Sequence, residues 1–494
     1  MAIPGGWKVW FIGTASILCV GSAVMLPFLI AAIDKSVVNK LMVINPDSQM
    51  YAGWVDPPIQ MHQKFYFFDV QNKDEILQGA KPVVRQIGPY TYRTHMPKEN
   101  ITWNDNFTVS YVEPQIYIFN RSMSVGDEND TFTSVNLPLM TMIHMMESLP
   151  GFLQRLMEGL IKDTKEKLFM ELSVKDLIWG YPEPLFKKLQ PLAGKKLIPS
   201  DHFGFLMGRN NSNVGIFTVF TGEDDRSKLN VVDRWAGNYK LDYWNTEIAN
   251  MINGTDGSMY HPYVNKSEVL YIFTPDMCRS MPYEYEEDTT YEGVTLLHFP
   301  LTKYAYENGT DYPPNEGFCK PECLPSGLLS VGACRGGAPM SVSNPHFYNG
   351  DPMLAEAIGG LSPSKELHEN FLDMEPKMGL PWRFAERLQL NIYVEKNPNI
   401  HETGNVQSNH FPVLWFEERV QVTDDIVRKY KNGFILPNII SFYMKFVLFA
   451  VAGILIIVLV VILVKRQTKL KNPEVVKKNI QSEDGDPEKK PLLG

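Results

Sequence analysis

Two long uncharged apolar runs, one near each end of the sequence, limit what this chain can fold into. The first run covers residues 9–33, and the second covers residues 446–464. A helix of about 20 apolar residues is long enough to cross the roughly 30 Å hydrocarbon core of a bilayer. Both runs therefore predict transmembrane helices.

Each run also has an alternative interpretation. The first could be a cleaved signal peptide ending at Ala31 and Ala32, but it exceeds the roughly 7–15 apolar residues of a signal core. The second could be a buried helix of a soluble domain, but its part at residues 454–464 is nearly pure Val, Ile and Leu and stops at Lys465 and Arg466. We favour an uncleaved anchor at each end.

Every N-glycosylation sequon lies between the two runs. The eight acceptors are Asn100, Asn106, Asn120, Asn129, Asn210, Asn253, Asn265 and Asn308. Sequons are used on the lumenal side of a membrane, so residues 34–445 are expected to form one lumenal or extracellular domain. A basic cluster follows the second run, as is typical of the cytosolic side. The prediction is a hairpin with residues 1–8 and 465–494 both in the cytosol.

The net charge of −9 is unevenly distributed along the chain. Residues 465–494 carry eight basic and five acidic side chains, so the segment between the apolar runs is strongly acidic. It contains no basic stripe of the kind that binds nucleic acid. The acidic surface suits an acidic or glycan-rich compartment, and solubility alone explains it equally well.

Four of the five cysteines lie close together in the middle segment, and the fifth, Cys19, lies inside the first apolar run. The four are Cys278, Cys319, Cys323 and Cys334. An even number in an oxidising compartment predicts two disulfides, and the sequence allows three connectivities. A four-thiolate zinc site is the competing interpretation, which the C-x3-C spacing without a second paired knuckle fits poorly.

Short runs rich in β-branched and aromatic residues dominate the middle segment. They are residues 65–70, 109–119, 214–220, 269–273, 388–394 and 411–420. Glycine, proline, asparagine and aspartate separate them, as is typical of strands. Their irregular spacing predicts a mainly β fold with an antiparallel sheet or barrel.

Residues 137–181 contain helix formers instead. Apolar residues recur there at helical spacing, namely Phe152, Leu153, Leu156, Met157, Leu160 and Ile161. Pro150 and Gly151 predict a break between two helices, and residues 174–179 predict a third. We expect a helical insert on a β-rich body, which is a natural place for a partner-binding surface.

Motifs for catalysis are missing from the sequence. It has no G-x-S-x-G elbow, no H-E-x-x-H motif, no phosphate-binding loop and no dinucleotide-binding glycine motif. His368 and His401 each precede a glutamate but lack a second histidine at metal-ligand spacing. The acidic run at residues 286–288 is interpreted as a solvated loop. We predict a protein that is not an enzyme and that has no resident cofactor or metal.

Ten short motifs resemble those of the class B scavenger receptor family. They are FYFFDVQN at residues 65–72, IGPYTYR at 87–93, WGY at 179–181, FTVFTGEDD at 217–225, MINGTDG at 251–257, CRS at 278–280, PPNEGFC at 313–319, PHFYNGDP at 345–352, FLDMEP at 371–376 and LWFEE at 414–418. They follow the family order across the whole predicted lumenal domain. The family includes a fatty-acid translocase, a high-density-lipoprotein receptor and a lysosomal integral membrane protein.

The resemblance implies a barrel-like β-rich ectodomain with an apolar tunnel and a helical cap that includes residues 137–181. It also implies disulfides joining Cys278 to Cys334 and Cys319 to Cys323. The implied function is a receptor that binds lipids or lipoproteins at the cap and passes lipid through the tunnel toward the bilayer. Sterols, fatty acids, phospholipids and carotenoids are the lipid classes concerned, and self-association of the chain stays open.

The tail resembles the sorting tail of the lysosomal member, because Glu488 stands four residues before the pair Leu492 and Leu493. Cytosolic adaptors are therefore expected partners, with residence in late endosomes, lysosomes and the plasma membrane. The alternative function is a lysosomal sorting receptor, or a structural lysosomal glycoprotein, that delivers a lumenal protein. Gly151 replaces the histidine that serves that member as a pH switch, and His144 is the nearby titratable residue.

Basic and sulfur-containing side chains of the insert are the candidate ligand contacts. Lys162, Lys165 and Lys167 are predicted to engage anionic lipids or lipoproteins, and the solvated face of an amphipathic helix would explain them as well. Four methionines could line an adaptable apolar mouth, with core packing as the alternative: Met140, Met142, Met145 and Met146.

Overall fold

The computed structural model describes residues 6–147, 150–194, 198 and 200–471. These residues divide into two compact units, one formed by residues 6–37 and 424–471 and the other by residues 38–423. The predicted sorting residues Glu488, Leu492 and Leu493 lie outside the described residues.

Eleven α-helices occur in the described part of the chain. They are α1 (Gly6–Leu41), α2 (Tyr51–Val55), α3 (Lys73–Ile76), α4 (Leu137–Met146), α5 (Gly151–Thr164), α6 (Val174–Trp179), α7 (Pro184–Ala193), α8 (Pro352–Glu356), α9 (Lys365–His368), α10 (Asp424–Tyr430) and α11 (Leu436–Lys471). A π-helical turn at Lys431–Ile435 joins α10 to α11.

The first unit consists largely of α1 and α11, which contain the two predicted membrane spans. Each is long and apolar enough to cross a membrane, which fits the predicted two-span anchor. Asn438 of α11 donates a hydrogen bond from Nδ2 to Oδ2 of Asp34 in α1, at 2.7 Å. Ser16, Ala23 and Ala452 are among the buried residues of this unit. Small side chains of this kind let transmembrane helices approach closely.

Twenty β-strands occur in the described part of the second unit. They are β1 (Met61–Val70), β2 (Val84–His95), β3 (Glu99–Asn104), β4 (Thr108–Val112), β5 (Ile116–Phe119), β6 (Thr131–Val135), β7 (Phe169–Ser173), β8 (Tyr181–Pro182), β9 (His202–Phe203), β10 (Phe217–Phe220), β11 (Val232–Trp235), β12 (Val269–Thr274), β13 (Arg279–Glu284), β14 (Glu287–Tyr291), β15 (Val294–Pro300), β16 (Leu329–Ser330), β17 (Met340–Ser343), β18 (Phe371–Glu375), β19 (Leu380–Val394) and β20 (Asn409–Gln421).

A ten-stranded antiparallel sheet forms the body of this unit. Eight strands follow the order β14-β15-β18-β19-β20-β1-β2-β5, while β17 pairs with β19 and β16 pairs with β17. The path runs from one edge strand to another and does not close into a barrel among the described residues. A second sheet has the order β11-β10-β4-β3, and three strand pairs, β12-β13, β6-β7 and β8-β9, complete the β structure.

All six predicted strand regions contain strands, although none of the six has the predicted limits at both ends. Residues 109–119 form two strands, β4 and β5, separated by a segment that contains Pro114. A proline lacks the N–H that a strand interior must donate, so it ends the first strand. Residues 388–394 are only the second half of β19, and the strand predicted from residue 214 begins at Phe217.

The prediction of an acidic loop at residues 286–288 is wrong for Glu287 and Asp288. Both belong to β14, which pairs with β15 at one end of the large sheet. Their side chains are exposed, as expected for an edge strand, where charges discourage further strand pairing. Charged residues at that position hide the strand from a hydrophobicity pattern.

The predicted helical insert is a mixed α/β segment. Its three predicted helices are present as α4, α5 and α6, with Pro150 directly before α5. However, Phe169–Ser173 forms β7, which pairs with β6 at Thr131–Val135. A further helix, α7, follows outside the predicted limits at Pro184–Ala193. The strand β7 was missed because its polar–apolar alternation covers only five residues between two helices.

Candidate functional site

The helical cap, defined here as α4, α5 and α7, is held together by a buried amide. Asn136 accepts a hydrogen bond from the backbone N–H of Leu139 at 2.9 Å and thereby caps α4. Its Nδ2 donates to Oε2 of Glu166, just beyond α5, at 2.9 Å. An ion pair between Lys188 and Asp163 joins α7 to α5. These contacts fix the start of α4 against the end of α5.

The exposed side of α5 is not the side that its apolar pattern predicts. Gln154, Met157 and Ile161 are buried. Gln154 donates from Nε2 to the carbonyl oxygen of Glu147 at 3.1 Å and accepts from Asn399 at 2.7 Å. The buried side of α5 therefore includes a hydrogen-bonded amide, Gln154, as well as the apolar residues that its spacing pattern predicts.

Two of the apolar residues that recur at helical spacing on α5 face solvent. Phe152 is 63% exposed and Leu156 is 62% exposed. They are four residues apart and so form one apolar ridge along the helix. Arg155 and Lys162 of the same helix are also exposed. The result is a surface that combines apolar and cationic groups, and a hydrophobicity pattern could not separate these outward residues from the inward ones.

The three predicted ligand-binding lysines are all exposed, and two of them have acidic partners. Lys162 lies 2.8 Å from Oε1 of Glu158 in the same helix. Lys167 lies 3.0 Å from Oε1 of Glu402, which the sequence left without a role. Lys165 ends α5 in the left-handed conformation, with φ +60°. Since exposed ion pairs are weak, these contacts leave the lysines available to an anionic ligand.

Two of the four methionines that were predicted to line an apolar mouth are buried instead. Met140 and Met142 are buried in the core, whereas Met145 and Met146 are half-buried at the end of α4. The alternative of core packing is therefore correct for the first pair.

His144 lies near the end of α4, between two carboxylates. Its Nδ1 is 3.8 Å from Oε2 of Glu147 and 3.8 Å from Oε1 of Glu395, the residue that follows β19. Burial and the neighbouring carboxylate of Glu147 raise the pKa of Glu395. Gly151, at the position of the family's switch histidine, is the first residue of α5 and offers no titratable group.

One face of the large sheet carries an apolar row beside a polar row. Tyr90, Phe65, Phe416 and Leu388 are neighbours across β2, β1, β20 and β19. Phe416 also lies 6.4 Å, ring centre to ring centre, from Phe205. This face therefore contributes a continuous aromatic and aliphatic wall to the interior of the domain.

The polar row follows two residues along the same strands. Tyr92, Gln63, Glu418 and Glu386 are neighbours across β2, β1, β20 and β19. Burial, and then the carboxylate of Glu418, raise the pKa of Glu386 to about 8. Burial, and then nearby Glu113, raise the pKa of Glu418 to about 7. The interior thus contains acids that hold their protons at mildly acidic pH.

A histidine on β15 also keeps its proton, but in its case the protonated form is the charged one. His298 Nδ1 lies 2.6 Å from Oδ1 of Asp373, and Arg383 lies 2.6 Å from the other carboxylate oxygen. Burial alone lowers the pKa of His298, but its hydrogen bonds to Asp373 and Glu369 outweigh burial and raise the pKa to about 9. The imidazole is therefore cationic at physiological pH.

Both predicted disulfides are present. Cys278 is bonded to Cys334, and Cys319 is bonded to Cys323, which confirms the pairing that the resemblance implied and excludes the four-thiolate zinc site. Cys19 is the free cysteine. A tryptophan lies beside the Cys278–Cys334 disulfide. The indole N–H of Trp244 donates a hydrogen bond to the backbone carbonyl oxygen of Cys278 at 2.7 Å.

All eight predicted glycan acceptors lie in the second unit, and none of them is buried. Asn100, Asn106, Asn129, Asn210 and Asn265 are exposed, and Asn120, Asn253 and Asn308 are half-buried. This placement is compatible with a glycan at each acceptor.

Two apolar helices and a disulfide-bonded, β-rich domain between them define a two-helix membrane protein. Comparison with known families is more specific, because the pattern that defines the CD36 family matches residues 11–463. The chain belongs to the CD36 family.

Curated relatives agree with this membership. The chain is 36% identical over 463 residues to scavenger receptor class B member 1 of Mus musculus, covering 94% of this chain and 91% of that protein. It is 37% identical to the protein of the same name from Cricetulus griseus, with the same coverage. It is 36% identical over 429 residues to lysosome membrane protein 2 of Homo sapiens, covering 85% and 87%. These names describe receptors and a membrane protein rather than enzymes.

Proposed function

We propose that this protein is a membrane receptor that binds lipids or lipoproteins at its cap. The observation that carries the proposal is the exposed ridge of Phe152 and Leu156 on α5, together with the exposed cations Arg155 and Lys162 of the same helix. Large apolar side chains side by side on a surface mark interaction sites. An amphiphile could place its acyl chain on the ridge and its anionic group beside the cations. Lys165 and Lys167 would extend the cationic part of the same surface.

Transfer of the bound lipid toward the bilayer is the second part of the proposal. The wall formed by Tyr90, Phe65, Phe416 and Leu388 supports an apolar passage through the domain interior, in a barrel-like arrangement of the sheet. A lipid gains roughly 0.8 kcal/mol for each CH₂ group that leaves water. Such a passage would let sterols, fatty acids, phospholipids or carotenoids reach the membrane without an energy source.

The placement in the cell follows from the sequence and is part of the proposal. The glycan acceptors put residues 34–445 outside the cytosol, with spans at residues 9–33 and 446–464 and both termini in the cytosol. The tail signal directs the protein to late endosomes and lysosomes, with a fraction at the plasma membrane. The two relatives support this mixture, since one is named as a scavenger receptor and the other as a lysosome membrane protein.

Binding by the ridge is tested with full-length protein in nanodiscs and fluorescently labelled high-density lipoprotein. The double variant Phe152→Ala/Leu156→Ala should bind at least about tenfold more weakly, because each lost apolar burial is worth about 1.5–3 kcal/mol. Ile248→Ala is the matched control, since Ile248 is 71% exposed outside the cap. Unchanged binding by the double variant would overturn the proposal.

The cationic part of the surface is tested separately. Lys162→Ala/Lys165→Ala/Lys167→Ala should weaken binding to vesicles of phosphatidylserine and leave any binding to phosphatidylcholine vesicles unchanged. The difference should shrink as salt rises, since exposed charges are screened within about 8 Å at physiological ionic strength. Equal losses on both kinds of vesicle would show that the lysines act through structure rather than charge.

Delivery of a lumenal protein to the lysosome is the second candidate function. It is favoured by the relatives named lysosome membrane protein 2 and by the acidic dileucine pattern at Glu488, Leu492 and Leu493. Co-purification of lumenal proteins at neutral and acidic pH tests it. A partner that is retained at neutral pH and released in acid would support delivery, and recovery of lipid alone would favour the lipid receptor.

A further inference from the structure

Three metal-ligating side chains converge where α4 meets the end of β19. His144 lies in α4, and Glu147, three residues later, is the helical C-cap that directly follows α4, so both lie on the same side of the helix. Glu395 follows Val394, the last residue of β19. One nitrogen of His144 and one oxygen from each glutamate lie within 4.8 Å of one another.

The spacing of these three atoms suits a small divalent cation. His144 Nδ1 lies 3.8 Å from one oxygen of each glutamate. Atoms so spaced share a point roughly 2.0–2.5 Å from all three, close to the bond lengths of about 2.0–2.2 Å that zinc forms with imidazole nitrogen and carboxylate oxygen. A small rotation of either glutamate would complete the fit.

Hydrogen bonding among the described residues does not account for the arrangement. The two distances of 3.8 Å are too long for a hydrogen bond, for which about 2.7–3.2 Å is usual. Among the residues that the structure describes, Nδ1 of His144 has no hydrogen-bond partner, and it is shielded from solvent. An imidazole nitrogen that is shielded from solvent usually has a hydrogen-bond partner, an ordered water or a bound ion. The two carboxylates also repel each other, and a bound cation would relieve this repulsion.

The position on the helix favours positive charge as well. Glu147 is the C-cap of α4, so the three ligands surround the carbonyl end of that helix. The helix dipole places partial negative charge at this end and stabilises cations there. We propose that His144, Glu147 and Glu395 bind a divalent transition-metal ion of the zinc class, which fastens the end of α4 to the end of β19.

The proposal is tested on the purified full-length protein in detergent, stripped with a chelator and studied at pH 7.4. Zn²⁺ at about a hundredfold excess over its dissociation constant should raise the melting temperature by roughly 3–6 °C. Co²⁺ should produce visible absorption bands as it binds, and Mg²⁺ should have no effect, because imidazole nitrogen is a poor ligand for it.

Variants locate the effect. His144→Ala and Glu395→Gln should each lower the Zn²⁺ affinity by more than about 100-fold, the upper loss seen for outer-shell partners of a metal. The matched control is His261→Ala, which removes a half-buried histidine that simply pairs with one glutamate, Glu268, at 2.9 Å. That variant should retain the full Zn²⁺ shift and the Co²⁺ spectrum.

Two outcomes would overturn the proposal. If Zn²⁺ shifts the melting temperature equally in all variants, it binds elsewhere. If Zn²⁺ and Co²⁺ leave the unmodified protein unchanged while His144→Ala lowers its melting temperature, the three residues form an ion-pair cluster only. Neither outcome depends on lipid binding, so this test and that of the proposed receptor function are independent.

Discussion

Glu386 on β19 and Glu418 on β20 lie directly opposite each other on one face of the central sheet. Each is half-buried, and each has a raised pKa, about 8 for Glu386 and about 7 for Glu418. A raised pKa of an acid means that folding favours its protonated form. The stability that these two residues contribute is therefore fully present below about pH 4.5 and is lost as the pH rises through about 7 to 8.

Replacing Glu418 by Gln should stabilise the protein at pH 8 by about 2–3 kcal/mol, because the amide avoids the cost of a buried carboxylate. At pH 4.5 the variant and the unmodified protein should be about equally stable. Urea unfolding at several pH values measures the difference. A constant difference at all pH values would show that Glu418 does not titrate in this range.

The neighbouring residue Glu417 should behave in the opposite way. Burial raises its pKa, but Lys64 and Arg387 outweigh burial and leave the pKa lowered. Its stability contribution is present above about pH 4.5 and is lost as the pH falls further. Glu417→Gln should destabilise the protein at pH 7 and approach the unmodified protein in strong acid. A pair of adjacent residues with opposite pH signatures is a stringent check, since both variants make the same chemical change.

His298 gives a third pH-dependent prediction. Its pKa is raised to about 9 through Asp373 and Glu369, so the stability from this contact is fully present below about pH 6.5 and is lost as the pH rises through 9. His298→Asn should destabilise the protein by about 2–3 kcal/mol at pH 6, and the loss should shrink by pH 10. Thermal unfolding of the two proteins at pH 6, 8 and 10 measures it. A loss that does not change with pH would point to packing rather than charge.

The two disulfides should differ in their contribution to stability. The Cys278–Cys334 bond closes a sequence separation of 56 residues, and the Cys319–Cys323 bond closes one of 4. Chain entropy then assigns about 4 kcal/mol to the first and about 2 kcal/mol to the second. Alanine replacement of both cysteines of one pair, followed by denaturant unfolding, tests the order. A larger loss for the short loop would contradict the entropic account here.

The predicted sorting signal in the tail should control how the protein is divided between lysosomes and the plasma membrane. Replacing Leu492 and Leu493 by Ala removes most of the apolar burial expected in an adaptor groove, at roughly 25 cal/mol per Å². The surface fraction of the protein should rise several-fold, as measured by surface biotinylation. Replacing Leu470, outside this pattern, serves as the control. If the unmodified protein is already wholly at the plasma membrane and the double variant changes nothing, the sorting interpretation fails.

Sequence reasoning predicted the β-rich class, the two terminal helices and the family from features that are local. The apolar residues at 65–70 and 411–420 predict β1 and β20, because buried central strands are rich in consecutive apolar residues. The disulfide pairing required the family resemblance, since the cysteine positions alone left three choices. Strands such as β14 were missed because charged residues on an edge strand, which discourage pairing with further strands, remove the apolar pattern that predicts a strand.

The candidate sites were harder to predict because they depend on contacts between distant residues. The apolar spacing of α5 identified a helix, but the outward position of Phe152 and Leu156 is set by Gln154, which is held inward by groups on other elements. Likewise, Glu395 joins His144 only through the packing of α4 on β19. No local pattern contains either relationship.

The anchoring of both chain ends has a consequence for proteolysis. Residues 6–37 precede the second unit and residues 424–471 follow it, and each segment carries a helix that is apolar enough to cross a membrane. A protease that cuts once within residues 38–423 therefore leaves each fragment with its own membrane helix. A cut between Cys278 and Cys334 even leaves the fragments covalently joined. Release of residues 38–423 from a membrane needs two cuts, one beside each helix, so a protein that has been cut once keeps both of its fragments on the membrane.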